Sequence, residues 1–120
     1  MIPTRVHGVI DYLVGIVLIL APYILGFADG TAAQWVPIII GVATLGLGMI
    51  TRHELGFVKI VPMTTHIIID VASGLLLLAS PWLFGFADRV WWPHVLVGLS
   101  YIVISLLTAR HSPVESTVRA

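Results

Sequence analysis

Hydrophobic residues run along this chain in four long stretches separated by short polar segments. No charged residue lies between Tyr12 and Ala28, or between Gly30 and Thr51. A third stretch, from Ile60 to Ala87, is interrupted by His66 and Asp70, and a fourth, from Val90 to Ala109, carries His94 near its start. Each approaches the roughly 20 residues that carry a helix across a bilayer. The pattern predicts helices over about 5–26, 34–52, 62–85 and 91–110. Helices are expected rather than strands, because lipid offers the backbone no hydrogen-bond partner and the runs are too uniformly apolar for alternating barrel strands.

The connections are short. Gly26 to Ala33 turns the first hairpin, Arg52 to Val61 joins the halves, and Gly85 to Val90 turns the second. Asp29 and Asp88 precede helices 2 and 4, where a carboxylate can cap backbone N–H groups and meet the positive end of the dipole. Pro37 and Pro93 fall in the first turns, where a missing N–H costs little. The polar tail from Ser112 to Ala120 is expected to be mobile.

Composition fixes the solvent. Of 120 residues, 58% are hydrophobic and 10% charged, against about 25% charged in soluble domains. So short a chain cannot bury that much apolar side chain in water, which argues against a soluble enzyme and for an integral membrane protein. Six basic and six acidic residues cancel, leaving no electrostatic footprint for nucleic acid. The absence of cysteine excludes disulfides, thiolate catalysis and Cys-ligated metals. With four spans both ends share a side, which holds Arg5, Arg52, Lys59, Arg110 and Arg119 against Arg89 alone opposite. The positive-inside rule then predicts cytoplasmic termini. Tyr23, Trp35, Trp82, Trp91 and Trp92 gather at the other boundary as an interfacial belt would.

The two halves repeat. His7-Gly-Val-Ile-Asp11 corresponds to His66-Ile-Ile-Ile-Asp70, Gly15 to Gly74, and Ala21-Pro22-Tyr23 with Gly26-Phe27-Ala28-Asp29 to Ser80-Pro81-Trp82 with Gly85-Phe86-Ala87-Asp88, all at one offset of 59 residues. Beyond that the register slips: Trp35-x-Pro37 pairs with Trp91-x-Pro93, Gly41 with Gly98, and Arg52-His53 with Arg110-His111. The chain divides accordingly into a first hairpin repeat at 1–56, a second at 57–111 and the tail at 112–120. Helix 1, as the partner of helix 3, is therefore expected to be retained rather than cleaved as a signal peptide.

Ser80-Pro81-Trp82 followed by Gly85-Phe86-Ala87-Asp88 resembles the signature of the SPW-repeat family of small membrane proteins. The resemblance spans about residues 5–111, and the first copy departs from it by reading Ala21-Pro22-Tyr23. It implies an all-α, four-helix transmembrane bundle of two tandem hairpins in a bacterial-type plasma (inner) membrane. It implies no activity. Two helices per repeat predict a pseudo-two-fold axis along the membrane normal.

One stripe carries the candidate chemistry. At 100° per residue, His7, Asp11, Gly15, Leu18 and Pro22 share an arc of roughly 80°, as do His66, Asp70, Gly74, Leu77 and Pro81 in helix 3. Small residues favour close helix contact in lipid, and charged ones face protein or water. Both rules turn the stripe inward, so two His and two Asp converge. The simplest expectation is structural. Asp11 and Asp70 would pair with Arg52 and Arg110 at the neighbouring helix ends, relieving the about 2.5–3.5 kcal/mol cost of an unpaired charge at mid-membrane. A second is an ion or proton pathway, with Pro22 and Pro81 freeing carbonyls. A third is a metal or haem site using the same imidazoles and carboxylates. No catalytic trio or phosphate loop is recognisable, and Gly41, Gly46, Gly48 and Gly98 read as helix contacts. The expectation is a non-enzymatic structural or accessory protein needing no cofactor. Its partners would be the lipid bilayer and a second copy of itself or another membrane protein.

Overall fold

A computed structural model describes residues 1–115. The described residues form an all-α bundle of four helices: α1 (Thr4–Ile24), α2 (Ala32–Ile50), α3 (Met63–Leu83) and α4 (Trp92–Leu107). The first three are long and apolar enough to cross a membrane, whereas α4 has 16 residues rather than the 20 expected from 91–110. It stops early because the chain turns extended at Thr108 to pair with Ile2: Ile2 N–H donates to the Leu107 carbonyl at 2.7 Å and Ala109 N–H to that of Ile2 at 2.9 Å. The same joint forms after α2, where Thr51 bridges to Val61. Each even-numbered helix thus runs through a short extended bridge onto the start of an odd-numbered one, α2 onto α3 and α4 onto α1.

α1 packs along α2 and α3 along α4. Glycine makes each crossing close. A Cβ on Gly15 would lie 3.0 Å from the Gly41 carbonyl oxygen, and one on Gly74 2.7 Å from that of Gly98, as expected where small residues let backbones approach. Gly48 packs against the Tyr12 ring, but Gly46 faces outward with nothing within 4 Å, so it is not the contact expected of it. Leu18, Ile40, Leu77 and Tyr101 form the buried centre, and the Thr44 and Tyr101 hydroxyls bond across it. The outer faces carry exposed large apolar side chains such as Leu13, Val17, Ile39, Leu75 and Leu96.

Both odd helices end alike. Gly26 and Gly85 adopt φ of 79° and 74°, and the following Phe27 and Phe86 N–H groups reach back to the Pro22 and Pro81 carbonyls at 2.8 Å. This is a Schellman closure, which only glycine makes cheaply. Thr31, rather than Asp29, caps α2 by accepting from Ala33 N–H. Asp29 lies one step outward, accepting from Thr31 N–H and hydroxyl at 3.0 and 2.6 Å, and these bonds hold its carboxyl below the usual range. The N-cap of α4 is Trp91 with no side-chain cap bond, so Asp88 does not cap that helix. The described part of the tail packs against the bundle. Ser112 and Glu115 are buried, Ser112 Oγ donating to Glu54 Oε1 at 3.0 Å and Glu115 Oε1 accepting from Met63 N–H at 2.9 Å. Residues 116–120, with Arg119, lie outside the described part.

Candidate functional site

His7 and Asp11 sit one turn apart on α1, and His66 and Asp70 repeat the arrangement on α3. That spacing puts each pair on one helix face. The structure brings all four together. His7 Nε2 lies 2.8 Å from Asp70 Oδ2 and 3.1 Å from Asp11 Oδ2; His66 Nε2 lies 2.6 Å from Asp11 Oδ2 and 3.0 Å from Asp70 Oδ2. Each imidazole therefore touches both carboxylates, and the four atoms close a ring whose shorter sides cross between α1 and α3. The imidazoles meet edge to face with centroids 5.3 Å apart. All four residues are buried, none more than 5% exposed.

Two threonines orient the imidazoles. Thr51 Oγ1, at the end of α2, lies 2.6 Å from His66 Nδ1, and Thr108 Oγ1, at the end of α4, lies 2.8 Å from His7 Nδ1. Each hydroxyl also donates to a carbonyl four residues back, Leu47 or Ile104, at 2.6 Å. A hydroxyl has one proton and a carbonyl can only accept. The threonine oxygens must therefore accept from the imidazoles, which assigns the proton on each Nδ1 and aims each Nε2 at the ring. Sequence reasoning missed Thr51 and Thr108. The signal for them was their shared offset of 57 residues, that of Gly41 and Gly98.

The expected Asp–Arg staple does not form. The ring occupies both carboxylates, and the guanidinium groups bond backbone carbonyls instead, Arg52 in the connecting segment and Arg110 at the end of α4. Arg52 Nε donates to the Lys59 carbonyl at 3.4 Å, and Arg110 Nη1 to that of Ser105 at 2.9 Å. Terminal helix carbonyls lack intrahelical partners and attract cations, which explains the bonds of Arg110.

Around the ring, His53 is fully buried with its centroid 5.7 Å from that of His66. Its Nδ1 accepts from Leu55 N–H at 3.2 Å, so Nε2 carries the proton, and that atom has no partner. Burial, reinforced by neighbouring His66, pushes the His53 pKa below its ordinary 6.5. Its repeat counterpart His111 is exposed, 3.7 Å from Glu115 Oε2. Burial tends to raise the Glu54 carboxyl, but hydrogen bonds from Thr4 (2.7 Å) and Ser112 (3.0 Å) bring it below the usual range. A cavity of about 10 Å³, bordered by His7, Asp11, Asp70 and Tyr101, adjoins the ring; that is room for about one water.

At the opposite end, Arg89 Nη2 reaches Thr31 Oγ1 at 3.1 Å and Asp29 Oδ2 at 3.5 Å, tying the two turns together. His94 is buried, its Nε2 donating to the Ala33 carbonyl at 2.9 Å between the Phe27 and Phe86 rings. The residues of the aromatic belt, Tyr23, Trp35, Trp82, Trp91 and Trp92, are all exposed near this end.

A family model of the SPW repeat domain matches residues 5–108. The chain belongs to the SPW-repeat family. No curated protein and no solved structure gives a significant match. Family and apolar helices together make it a small membrane protein. In this SPW-repeat protein the motif has a physical explanation. Pro81 lacks the N–H that would bond the Leu77 carbonyl, and Ser80 Oγ, fully buried, donates to that same carbonyl at 2.7 Å. Trp82 then stands exposed at the helix end. The first copy has Ala21 before Pro22 and so lacks the hydroxyl.

Proposed function

We propose that this SPW-repeat protein is a non-enzymatic structural or accessory component of the membrane, and that the His7–Asp11–His66–Asp70 ring is the clamp that makes one body of two hairpins. The observation that carries this reading is the pairing of each imidazole with the carboxylate of the other repeat, at 2.8 and 2.6 Å. A polar group in lipid must find its partner within protein. The ring therefore gives each hairpin a strong reason to bind the other and none to stay alone. The outer surface, apolar on all four helices, suits contact with lipid and with a second copy or another membrane protein. The SPW-repeat resemblance supports a bacterial-type inner membrane, and the basic residues at the ring end support cytoplasmic termini. A cysteine placed at His111 of this cysteine-free chain is then labelled only from the cytoplasmic face.

The clamp is tested by Asp11→Asn with Asp70→Asn. The variant is expected to lose several kcal/mol of stability in detergent, on the scale of breaking a buried pair (about 3–5 kcal/mol), with no change in ion flux across liposomes. A flux in the wild-type protein that vanishes in a variant of unchanged thermal stability replaces the clamp by a transport site. Such a pathway would need a second copy, because the cavity beside the ring is about 10 Å³. Cross-linking in native membranes tests association; a solitary monomer argues against the accessory role.

A further inference from the structure

Four acceptor atoms converge between α1 and α3, at the end of the bundle where α2 and α4 stop. Thr51 and Thr108 commit their only hydroxyl protons to the Leu47 and Ile104 carbonyls. Each histidine consequently spends its Nδ1 proton on a threonine. A neutral imidazole held that way turns a bare Nε2 lone pair inward, towards ionised carboxylates that can only accept. His7 Nε2, His66 Nε2, Asp11 Oδ2 and Asp70 Oδ2 then confront one another within 4.8 Å, sealed from solvent. Such a centre requires two positive charges. They can be two extra protons, one on each imidazole, or a single divalent cation. Either leaves the cluster neutral, which a buried site demands.

We propose that these four side chains form a binding site for one divalent transition-metal ion, with Zn²⁺ the best match. The donor set is two imidazoles and two carboxylates, borderline-hard N/O chemistry shared by Zn²⁺, Fe²⁺ and Mn²⁺. Four protein donors are the number that a closed, tetrahedral zinc site takes, whereas Ca²⁺ and Mg²⁺ ask for about six or more oxygens. Bonds of about 2.0–2.2 Å would hold neighbouring donors about 3.3 Å apart, so the sides of the ring, at 2.6–3.1 Å, would open by about 0.2–0.7 Å on loading. The outer shell is already in place. Metal-bound histidines characteristically donate their second N–H to a fixed acceptor that sets tautomer and ring orientation, and here both do so to threonines that are themselves anchored. Haem does not fit, since the two Nε2 atoms share their carboxylate partners and the adjoining space is about 10 Å³. The site uses the clamp's side chains, yet the clamp stands without it if protons supply the charge.

The test is elemental analysis of full-length protein purified from native membranes without chelator, followed by titration of stripped, folded protein with Zn²⁺ and Co²⁺. One ion per chain, a Co²⁺ spectrum of a four-coordinate N/O site, and a raised melting temperature are expected. Thr51→Val with Thr108→Val, near in shape and outside the donor set, should weaken Zn²⁺ binding about 10–100-fold with the helices intact. His66→Gln should abolish stoichiometric uptake. Folded wild-type protein that neither retains nor takes up Zn²⁺, Co²⁺, Fe²⁺ or Mn²⁺ overturns the site. So does uptake that survives His66→Gln and disappears in His111→Ala, the exposed histidine. If such metal-free protein still comes apart on Asp11→Asn with Asp70→Asn, the clamp holds and only the metal is lost.

Discussion

At the scale of single residues, the sequence exposed the chemistry better than its geometry. His-x-x-x-Asp, written twice, identified the donors, because helical spacing alone places such a pair on one face. Nothing comparable announced the threonines. Thr51 lies 15 residues from the histidine it orients and Thr108 lies 101, and the register slip between repeats drew the alignment to Arg52 and Arg110 instead. Nor does the repeat reveal that His53 is buried while its partner His111 is exposed. The burial of His53 has a consequence that can be measured. The folded protein holds this imidazole below its ordinary value of 6.5, whereas the unfolded chain titrates normally. As pH falls below 6.5 the unfolded state gains a proton that the folded state refuses, so stability falls with pH across that window and returns above it. Melting curves of wild type and His53→Gln should diverge as the medium is acidified, the variant losing less. Parallel curves would mean that His53 titrates alike in both states.

At the scale of helices, existence and type were legible, and ends were not. The apolar runs had to be helices, but α4 stops at Leu107 because an extended bridge to Ile2 replaces its last turn, and no local signal encodes a partner more than a hundred residues away. The glycines divide for a similar reason. Gly41, Gly46, Gly48 and Gly98 look alike in sequence, yet contact depends on which helix face meets a neighbour. A Cβ at Gly74 would stand 2.7 Å from the Gly98 oxygen and 2.8 Å from Tyr101 Cβ, whereas one at Gly46 meets nothing within 4 Å. Gly74→Ala must therefore spread α3 from α4, at about 1–3 kcal/mol for overpacking. Gly46→Ala should instead stabilise by about 0.5–1 kcal/mol through the lost backbone freedom of glycine. Equilibrium unfolding in detergent compares them directly; equal effects would show that the α3–α4 crossing is not close.

At the scale of the whole molecule, the repeat makes two joints where the chain supplies one connection. Thr51 bridges to Val61 with the linker between them, while Thr108 bridges to Ile2 with no covalent link at all. The second joint nevertheless carries the same load: a backbone bridge, a threonine on a histidine, and a glutamate at a helix start, Glu54 with Thr4 and Glu115 with Met63. A fold that already holds one joint open needs little from the linker at the other. Cutting the chain between Phe57 and Val58, both exposed, should leave two co-expressed halves that copurify in mild detergent, because His7–Asp70 and His66–Asp11 cross between them. The linker mainly raises the effective concentration of one half near the other, so the cut should weaken association and leave the ring intact. Adding Asp11→Asn and Asp70→Asn to the severed pair removes what the cut left in place, and the halves should separate. Halves that part with the ring residues unchanged would locate the cohesion of the bundle in its covalent connection; halves that stay together without the carboxylates would locate it in the Leu18–Ile40–Leu77–Tyr101 contact. Only separation that requires the double substitution leaves the His–Asp ring as the element on which a pair of hairpins becomes one protein.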